Sequence, residues 1–549
     1  MTCFTFVETF SLKVRKSNLS AFRNSFVHRF KVLPYKETCR NAFSSWRLEY
    51  GSQSNFSVPS TSLATEQHIV SSSSSALKEK LVEKGQKYKV KPIKKVLVAN
   101  RGEIAVRIIR SCREMGIETV AIYSTADRNA LHVALADETV CIGEPSSKKS
   151  YLDITSVLAA AEITGCLTTG ADAVHPGYGF LSENSVFSSS CEEMGVTFIG
   201  PSPFAIDKMG DKSTAKETML NAGVPCVPGS NGILSDAEEA VRIAENIGYP
   251  VLLKATAGGG GRGIKLARNS EELRSLYQMC SAEAQAAFGN GKLYLEKFVE
   301  APRHVEIQVF ADKYGNAIHL GERDCSIQRR NQKLVEEAPC PVMTEELRAK
   351  MGEAAVNAAK AINYCGAGTV EFLLSAAGEF YFMEMNTRIQ VEHPITEQIT
   401  GIDIVQLQLQ IAEGRPLPYR QSDINLKGHA IEVRVNCEEP KDNFRPVPGQ
   451  VSSLFVPGGL GIRWDSHIYP GYTIAPNYDS MIGKLIVWGP TRDQAIRKMK
   501  RALNEMNIVG VPSTIPLHRA IFNNEKFIQG KEIYTNFIET EDILSQVVG

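Results

Sequence analysis

Residues 369–386 constrain the fold of this chain more than any other stretch, because they set carboxylates inside apolar strands. Thr369-Val370-Glu371-Phe372-Leu373-Leu374 reads as a strand, Ser375–Gly378 as a turn, and Glu379-Phe380-Tyr381-Phe382-Met383-Glu384-Met385-Asn386 as the returning strand. Burying a carboxylate is costly unless a cation or hydrogen-bond donors meet it. The hairpin therefore belongs to a sheet with one face on a core and the other on a polar site. A four-residue turn puts Glu371 opposite Phe382, with Glu384 a diagonal neighbour on the same face. Asn386 and Arg388 continue the period-two row, and Gln390 and Glu392 join it if the chain stays extended. Two carboxylates and an amide are hard oxygen ligands suited to Mg²⁺, so Glu371, Glu384 and Asn386 are the candidate metal ligands. Arg388 beside them suits a planar oxyanion through its forked donors.

The remaining chain supplies a scaffold for such a site. Val96-Leu97-Val98-Ala99 is a short buried strand, and Asn100-Arg101-Gly102 turns the chain. A helix follows with Ile104, Val106, Ile108, Ile109 and Cys112 on its apolar face and Gly116 at its stop. Thr119–Tyr123 is the next strand, which completes a βαβ unit and predicts a doubly wound α/β first domain. His175-Pro176-Gly177-Tyr178-Gly179-Phe180 is a loop after another strand, either a plain turn or a ligand loop of the kind open α/β sheets place there. Helices alternate with strands to about residue 420. From Gly428 the chain becomes β-rich (429–436, 451–456 and 484–488), with a helix over 492–506, which predicts a third, α+β domain.

Val251–Ala255 and Ile264–Ala267 flank Gly258-Gly259-Gly260-Gly261-Arg262-Gly263. Glycines let backbone N–H groups converge on phosphate oxygens. A phosphate loop of the Walker type would continue into G-K-[ST] and a helix, whereas here a second strand follows. The segment predicts a glycine-tipped hairpin acting as a lid over a nucleotide, with Lys254 just before the tip and within reach of its phosphates.

At 549 residues the chain is too long for one core. Lys+Arg and Asp+Glu are equal at 61 each, so no electrostatic footprint for nucleic acid is present. No uncharged apolar run has the length of a membrane helix. The 12 cysteines are scattered without a C-x-x-C pair, which predicts free thiols rather than a disulfide or zinc scaffold. Residues 1–60 differ from the rest: basic, rich in hydroxyl residues and poor in acids, with Glu8, Glu37 and Glu49 as the only carboxylates. That composition predicts an organelle transit peptide, followed by a lysine-rich linker over 78–95.

The motifs taken together resemble the biotin carboxylase family. The residues that carry the resemblance are Ala99–Ile104, His175–Phe180, Met209–Lys212, Gly258–Gly263, Pro302–Glu306, Glu322–Arg330, Glu384–Pro394 (EMNTRIQVEHP) and Tyr478–Lys484, in that order within about residues 93–540. The resemblance implies an ATP-grasp fold: a targeting segment and linker over 1–90, an N-terminal domain over 91–205, an ATP-grasp domain over 206–430 with its lid at about 226–298, and a C-terminal domain over 431–540. By the same resemblance Lys212, Lys254, His304 and the lid glycines Gly260 and Gly261 contact phosphate or ribose. Glu296, Lys297 and Val299 line the adenine pocket, and Gln328 and Asn331 border the nucleotide. Glu371, Glu384 and Asn386 hold Mg²⁺ or Mn²⁺. Lys333, Arg388, Gln390 and Val391 bind bicarbonate, Glu392 is the general base, and Arg434 stabilises the biotin enolate. Asn331 stands where bacterial members carry His, and this form resembles the plastid members.

The implied activity is ATP- and bicarbonate-dependent carboxylation of biotin through carboxyphosphate, the first half-reaction of acetyl-CoA carboxylase in fatty acid synthesis. No A/V-M-K-M biotinyl signature occurs, so the biotin is expected on a separate carrier protein, with carboxyltransferase subunits as further partners and a homodimer as the assembly. Plastid targeting is expected, with the mitochondrion as the alternative. The competing readings are a carboxylase subunit serving another acyl-CoA, another ATP-grasp ligase, and a non-catalytic regulatory homologue.

Overall fold

Four consecutive buried residues form β1 (Lys95–Val98), and a strand buried on both faces belongs in the middle of a parallel sheet. In the computed structural model, which describes residues 88–164, 172–256 and 263–548, β1 is central. It pairs in parallel with β2 (Glu118–Ser124) and with β4 (Ala173–His175), while β3 (Glu138–Gly143) and β5 (Thr197–Phe198) close the edges in the order β3-β2-β1-β4-β5. Helix α1 (Gly102–Glu114) crosses between β1 and β2, burying Ile104, Ile108, Ile109 and Cys112 as its spacing predicts. Gly102 and Gly116 bound it with φ of +68° and +71°, a conformation glycine adopts without strain. The predicted βαβ unit and doubly wound domain are as expected. The targeting segment and the lid glycines Gly260 and Gly261 lie outside the described residues.

The lid sheet has the predicted hairpin: β6 (Val251–Ala255) pairs antiparallel with β7 (Ile264–Ala267) and, on its other edge, with β8 (Leu293–Lys297). The body of the molecule is an eight-stranded sheet. Its central-domain strands are β9 (Arg303–Ala311), β10 (Ala317–Arg329), β11 (Gln332–Ala338), β12 (Gly366–Leu374) and β13 (Phe380–Asn386). Its C-terminal strands are β14 (His429–Asn436), β15 (Ile462–Ser466) and β16 (Met481–Gly489). The order is β13-β12-β9-β10-β11-β14-β16-β15, so the third domain adds its strands directly to the edge of the central sheet. The seam is the antiparallel pair β11–β14, with Val335 opposite Val433 and Glu336 opposite Glu432.

The β12–β13 hairpin corrects the expected register. Glu371 faces Glu384 directly, and Phe372 faces Phe382. Met383 is the extra residue, a bulge whose side chain is turned toward solvent. The reason is parity. In an unbroken strand Phe382 and Glu384 share a face, yet one belongs in the core and the other does not. The inserted residue sends Phe382 into the core with Phe372 and returns Glu384 to the side of Glu371. The expected extended row also stops at Asn386: the chain then turns, and Glu392 becomes the N-cap of helix α2 (His393–Thr400).

The cysteines among the described residues are all free, as expected. None of the described helices is long and apolar enough to cross a membrane.

The seam is reinforced by a buried carboxylate. Glu337 of β11 accepts from Arg492 Nε at 2.7 Å and from Arg492 Nη2 at 3.1 Å, and lies 2.8 Å from His429 Nε2 of β14. Burial alone would raise its pKa, but Arg492 and His429 outweigh it and hold Glu337 at about 2, against an ordinary 4.5. A depressed carboxylate contributes stability above its unfolded pKa and loses it as pH falls toward the folded value. The prediction is that the wild type loses stability between about pH 4.5 and pH 2 more steeply than Glu337→Gln does. Urea midpoints measured across that range check this; parallel curves for the two proteins would exclude Glu337 as the acid-sensitive contact.

Candidate active site

The polar face of the sheet is a ladder row of charges. Glu384 of β13 lies opposite Glu371 of β12, Glu371 opposite Glu306 of β9, and Glu306 opposite Arg323 of β10. Along β9 the same alternation places His304, Glu306 and Gln308 between Val305, Ile307 and Val309, which enter the core. Neither Glu306 nor Arg323 received a role in the sequence reading, although both lie in its motifs. The period-two argument that singled out Glu371 and Glu384 applies equally to 304–308 and finds Glu306.

Arg323 has no solvent exposure and all its donors are engaged. Nε donates to Glu306 at 2.5 Å, Nη1 to Gln308 and Thr396, and Nη2 to Thr369 and Gln390. Lys333 of β11 is a second hub: its ammonium donates to Glu306 at 2.5 Å, Glu392 at 2.7 Å and Glu371 at 2.8 Å. Burial would lower the Lys333 pKa, but these three carboxylates raise it well above the ordinary lysine range. The effect is mutual. Glu371 and Glu392 would be raised by burial, yet Lys333 chiefly, with His304 for Glu371 and with Arg434 and Arg323 for Glu392, holds both below the usual carboxylate range.

Glu392 is buried between two cations from different domains. Its Oε1 meets Lys333, and its Oε2 accepts from Arg434 Nη2 at 2.8 Å. Arg434 is aimed by Glu336, which accepts from its Nε at 2.6 Å across the β11–β14 seam. Gln390 is held from both ends, donating to Glu371 at 2.7 Å and accepting from Arg323 at 2.6 Å. Arg388 is set by Glu183 of the first domain at 2.8 Å and by the Asn386 amide oxygen at 2.7 Å. Glu183 was missed by sequence reasoning, since nothing local marks a loop glutamate as part of a site some 200 residues away. The structure thus connects Lys333, Glu371, Glu384, Asn386, Arg388, Gln390, Glu392 and Arg434 through shared contacts and strand register, with Val391 between Gln390 and Glu392.

The residues expected around nucleotide lie along the lid and the neighbouring strands. Lys254 Nζ is 2.6 Å from Glu296 Oε2, and Lys216 Nζ is 3.2 Å from the other carboxylate oxygen. Lys297 turns its ammonium to the carbonyls of Gly248 and Tyr249, at 2.9 Å each, and Val299 follows it, half-buried. Lys212 opens the helix Lys212–Asn221 and is exposed. Gln328 Nε2 lies 2.8 Å from His304 Nδ1, which orients that ring toward Glu371 at 2.9 Å. Asn331 is exposed at the β10–β11 turn with φ of +64°, a conformation that asparagine tolerates better than most residues.

Among the described residues, the place where Glu384 stands opposite Glu371 could hold a cation. His304, Glu306 and Glu371 offer converging donor atoms, but Lys333 already neutralises both glutamates. Glu384 is different: burial and the charge of Glu371 opposite raise its pKa, and among the described residues no hydrogen bond to its carboxylate is recorded. A divalent ion between Glu384 and Glu371 fits that excess of negative charge. The Asn386 amide is engaged by Arg388 through its oxygen and by Glu371 through its nitrogen, so ligation by Asn386 requires the amide to turn.

Comparison with known proteins gives a consistent match along the chain. Residues 92–206 match the family described as Biotin carboxylase, N-terminal domain; 211–420 match Carbamoyl-phosphate synthase L chain, ATP binding domain; and 432–540 match Biotin carboxylase C-terminal domain. The chain is 60% identical over 445 residues to a biotin carboxylase of Nostoc sp., spanning 81% of this chain and 98% of that one. It is 58% identical over 452 residues to the chloroplastic biotin carboxylase of Arabidopsis thaliana, spanning 82% and 83% respectively. Among solved structures it is similar to the biotin carboxylase domain dimer of Hydrogenobacter thermophilus 2-oxoglutarate carboxylase, in complex with MgADP, ADP and bicarbonate. That match has 53% identity and a TM-score of 0.75, covering 84% of this chain and 99% of that one.

Removing one partner of a buried ion pair leaves the other charge uncompensated, at a cost of about 3–5 kcal/mol. Arg323→Met is expected to destabilise the central sheet by about that amount, and Arg323→Lys to recover little of it, since an ammonium cannot serve five acceptors in a plane. Calorimetric melting of the three proteins tests this, and an unchanged melting temperature for Arg323→Met would refute the hub role.

Proposed function

The chain belongs to the biotin carboxylase family of ATP-dependent ligases, and on that premise we propose that it carboxylates biotin on a separate carrier protein as the first half-reaction of a plastid acetyl-CoA carboxylase. The observation that carries the reading is the convergence of Lys333 and Arg434 on the buried carboxylate of Glu392, beside Arg388. Glu392 is held ionised by cations that also suit an anionic substrate, and its basicity rises as Lys333 and Arg434 turn from it to that substrate.

In this reading bicarbonate lies among Arg388, Gln390, Val391 and Lys333. Glu392 takes its proton as a bicarbonate oxygen attacks the γ-phosphorus of ATP, and the bond to ADP breaks. Lys254 and Lys212 meet the phosphates, with His304 and Gln328 alongside; Lys254 exchanges Glu296 for phosphate when nucleotide arrives. Glu296, Lys297 and Val299 border the base. Glu371 and Glu384, with Asn386, would hold magnesium, whose charge would offset that of the phosphoryl oxygens. Carboxyphosphate then divides into CO₂ and phosphate. The phosphate removes the ureido N–H proton of biotin, Arg434 stabilises the charge on the ureido oxygen, and the nitrogen attacks CO₂.

The plastid setting is supported by the identity to a chloroplastic relative and by the basic, acid-poor composition of residues 1–60. The biotin carboxylase domain of 2-oxoglutarate carboxylase is similar over nearly the whole length of that domain, so we assign the choice of acceptor to the carboxyltransferase partners rather than to this chain. The relative described as a dimer supports a homodimer here, with the exposed Arg110 and with Glu114 on α1 as candidate contacts; Glu114 also accepts from Gln406 of its own chain at 3.0 Å.

Two experiments test this function. Arg434→Ala is expected to lose biotin carboxylation by about 10²–10³ while keeping slow bicarbonate-dependent ATP cleavage, and Arg388→Ala to lose both. The quantity to measure is ATP hydrolysed per carboxybiotin formed; equal loss of ATP cleavage in the two variants would refute the division of roles. Residues 1–90 fused to a fluorescent protein are expected to enter plastids, and mitochondrial or cytosolic fluorescence would overturn that placement.

A further inference from the structure

The turn 390–392 is gripped residue by residue. Gln390 is held by Arg323 and Glu371, and Glu392 by Lys333 and Arg434. The residue between them, Val391, is held through its backbone carbonyl, which accepts from Lys484 Nζ at 2.6 Å. Lys484 belongs to β16 in the C-terminal domain, opposite Arg434 on one side and Asp465 on the other, and it has no solvent exposure. A second contact ties it to the first domain: Glu103, in the opening turn of α1, lies 3.2 Å from Lys484 Nζ. The same Glu103 oxygen accepts from Tyr178 Oη in the His175–Phe180 loop. One ammonium therefore joins a helix of the first domain, a strand of the third and the substrate turn of the second.

A buried lysine this far from solvent would ordinarily lose its proton. Burial does lower its pKa, but Glu103, Glu432 and Asp465 outweigh burial and the opposing Arg463, so the ammonium stays charged. A charged donor to a carbonyl makes a shorter and stronger hydrogen bond than a neutral one. The structural cost of keeping a buried charge at this point is met by a directional contact to one backbone oxygen.

We propose that Lys484 is a positioning residue for bicarbonate: pinned by Glu103, it holds the Val391 carbonyl and thereby fixes the turn that presents Gln390, Val391 and Glu392 to the anion. This rests on the reading of residues 388–392 as the bicarbonate site. Among the described residues Lys484 contacts Val391 and Glu103 and none of those expected around nucleotide, so its loss is expected to act on one substrate. The first domain enters the same linkage through Tyr178 and Glu103, so the packing of that domain against the third sets the geometry of a site that neither supplies alone.

The test uses the full chain with Lys484→Met and with the double variant Glu103→Gln/Lys484→Met. The double variant removes both charges and avoids leaving Glu103 buried without a partner. The readouts are melting temperature and steady-state KM for bicarbonate and for ATP in bicarbonate-dependent ATP cleavage. The expected result is a folded double variant whose KM for bicarbonate rises about tenfold or more, the equivalent of one charge-assisted hydrogen bond, with KM for ATP within about twofold of wild type. An unchanged KM for bicarbonate in a folded variant overturns the proposal. So does a parallel rise in both KM values, or failure of both variants to fold, since either assigns Lys484 a general structural role. A wild-type chain without bicarbonate-dependent ATP cleavage would instead sink the proposed function itself.

Discussion

The arrangement depends on a buried ion network in which Arg323 and Lys333 hold carboxylates from three different segments. Glu306, Glu371 and Glu392 all meet Lys333, while Arg323 adds Glu306 and the side chain of Gln390. Isolated charges in such a place would neutralise themselves by shifting their pKa values. Here the shifts run the other way: Glu371 and Glu392 stay ionised because each cation is within direct contact. Burying ion pairs adds little net stability compared with an apolar core. What this network supplies is a fixed field and fixed positions for the groups it holds.

That field is assembled by the sheet. Glu384, Glu371, Glu306 and Arg323 stand in one row because β13, β12, β9 and β10 pair in one register. Slipping any strand by one residue would send its charge into the apolar core containing Val305, Ile307 and Phe372. The same sheet continues through β11 to β14, so Arg434 reaches Glu392 across a strand seam rather than across a flexible domain boundary. The third domain meets the turn 390–392 directly, through Arg434 to Glu392 and Lys484 to Val391.

The first domain takes part through two glutamates of different character. Glu183, on a loop, orients Arg388, and Glu103, on the first turn of α1, meets Lys484. Both arrive from a domain whose fold is otherwise that of an independent doubly wound unit. Its packing against the central and C-terminal domains is therefore part of the site.

Much of this was legible from residues alone. The alternation of apolar and charged positions in 369–386 marked a sheet face bearing a site, the spacing in 96–123 marked the βαβ unit, and strand signals on both sides of 258–263 marked a lid hairpin. Each depends on local periodicity, which sequence determines directly. The family resemblance came separately, from the identity and order of the motifs. What only the tertiary structure decided was relative placement. The Met383 bulge, which sets Glu384 against Glu371, arises because Phe382 must enter the core while Glu384 must not, and only the packed core enforces that conflict. Arg323, Glu183 and Lys484 owe their roles to partners roughly 17 to 380 residues away in the chain. No local pattern encodes contacts at that separation; they exist because three domains close around one sheet and leave each buried charge a single place to find its partner.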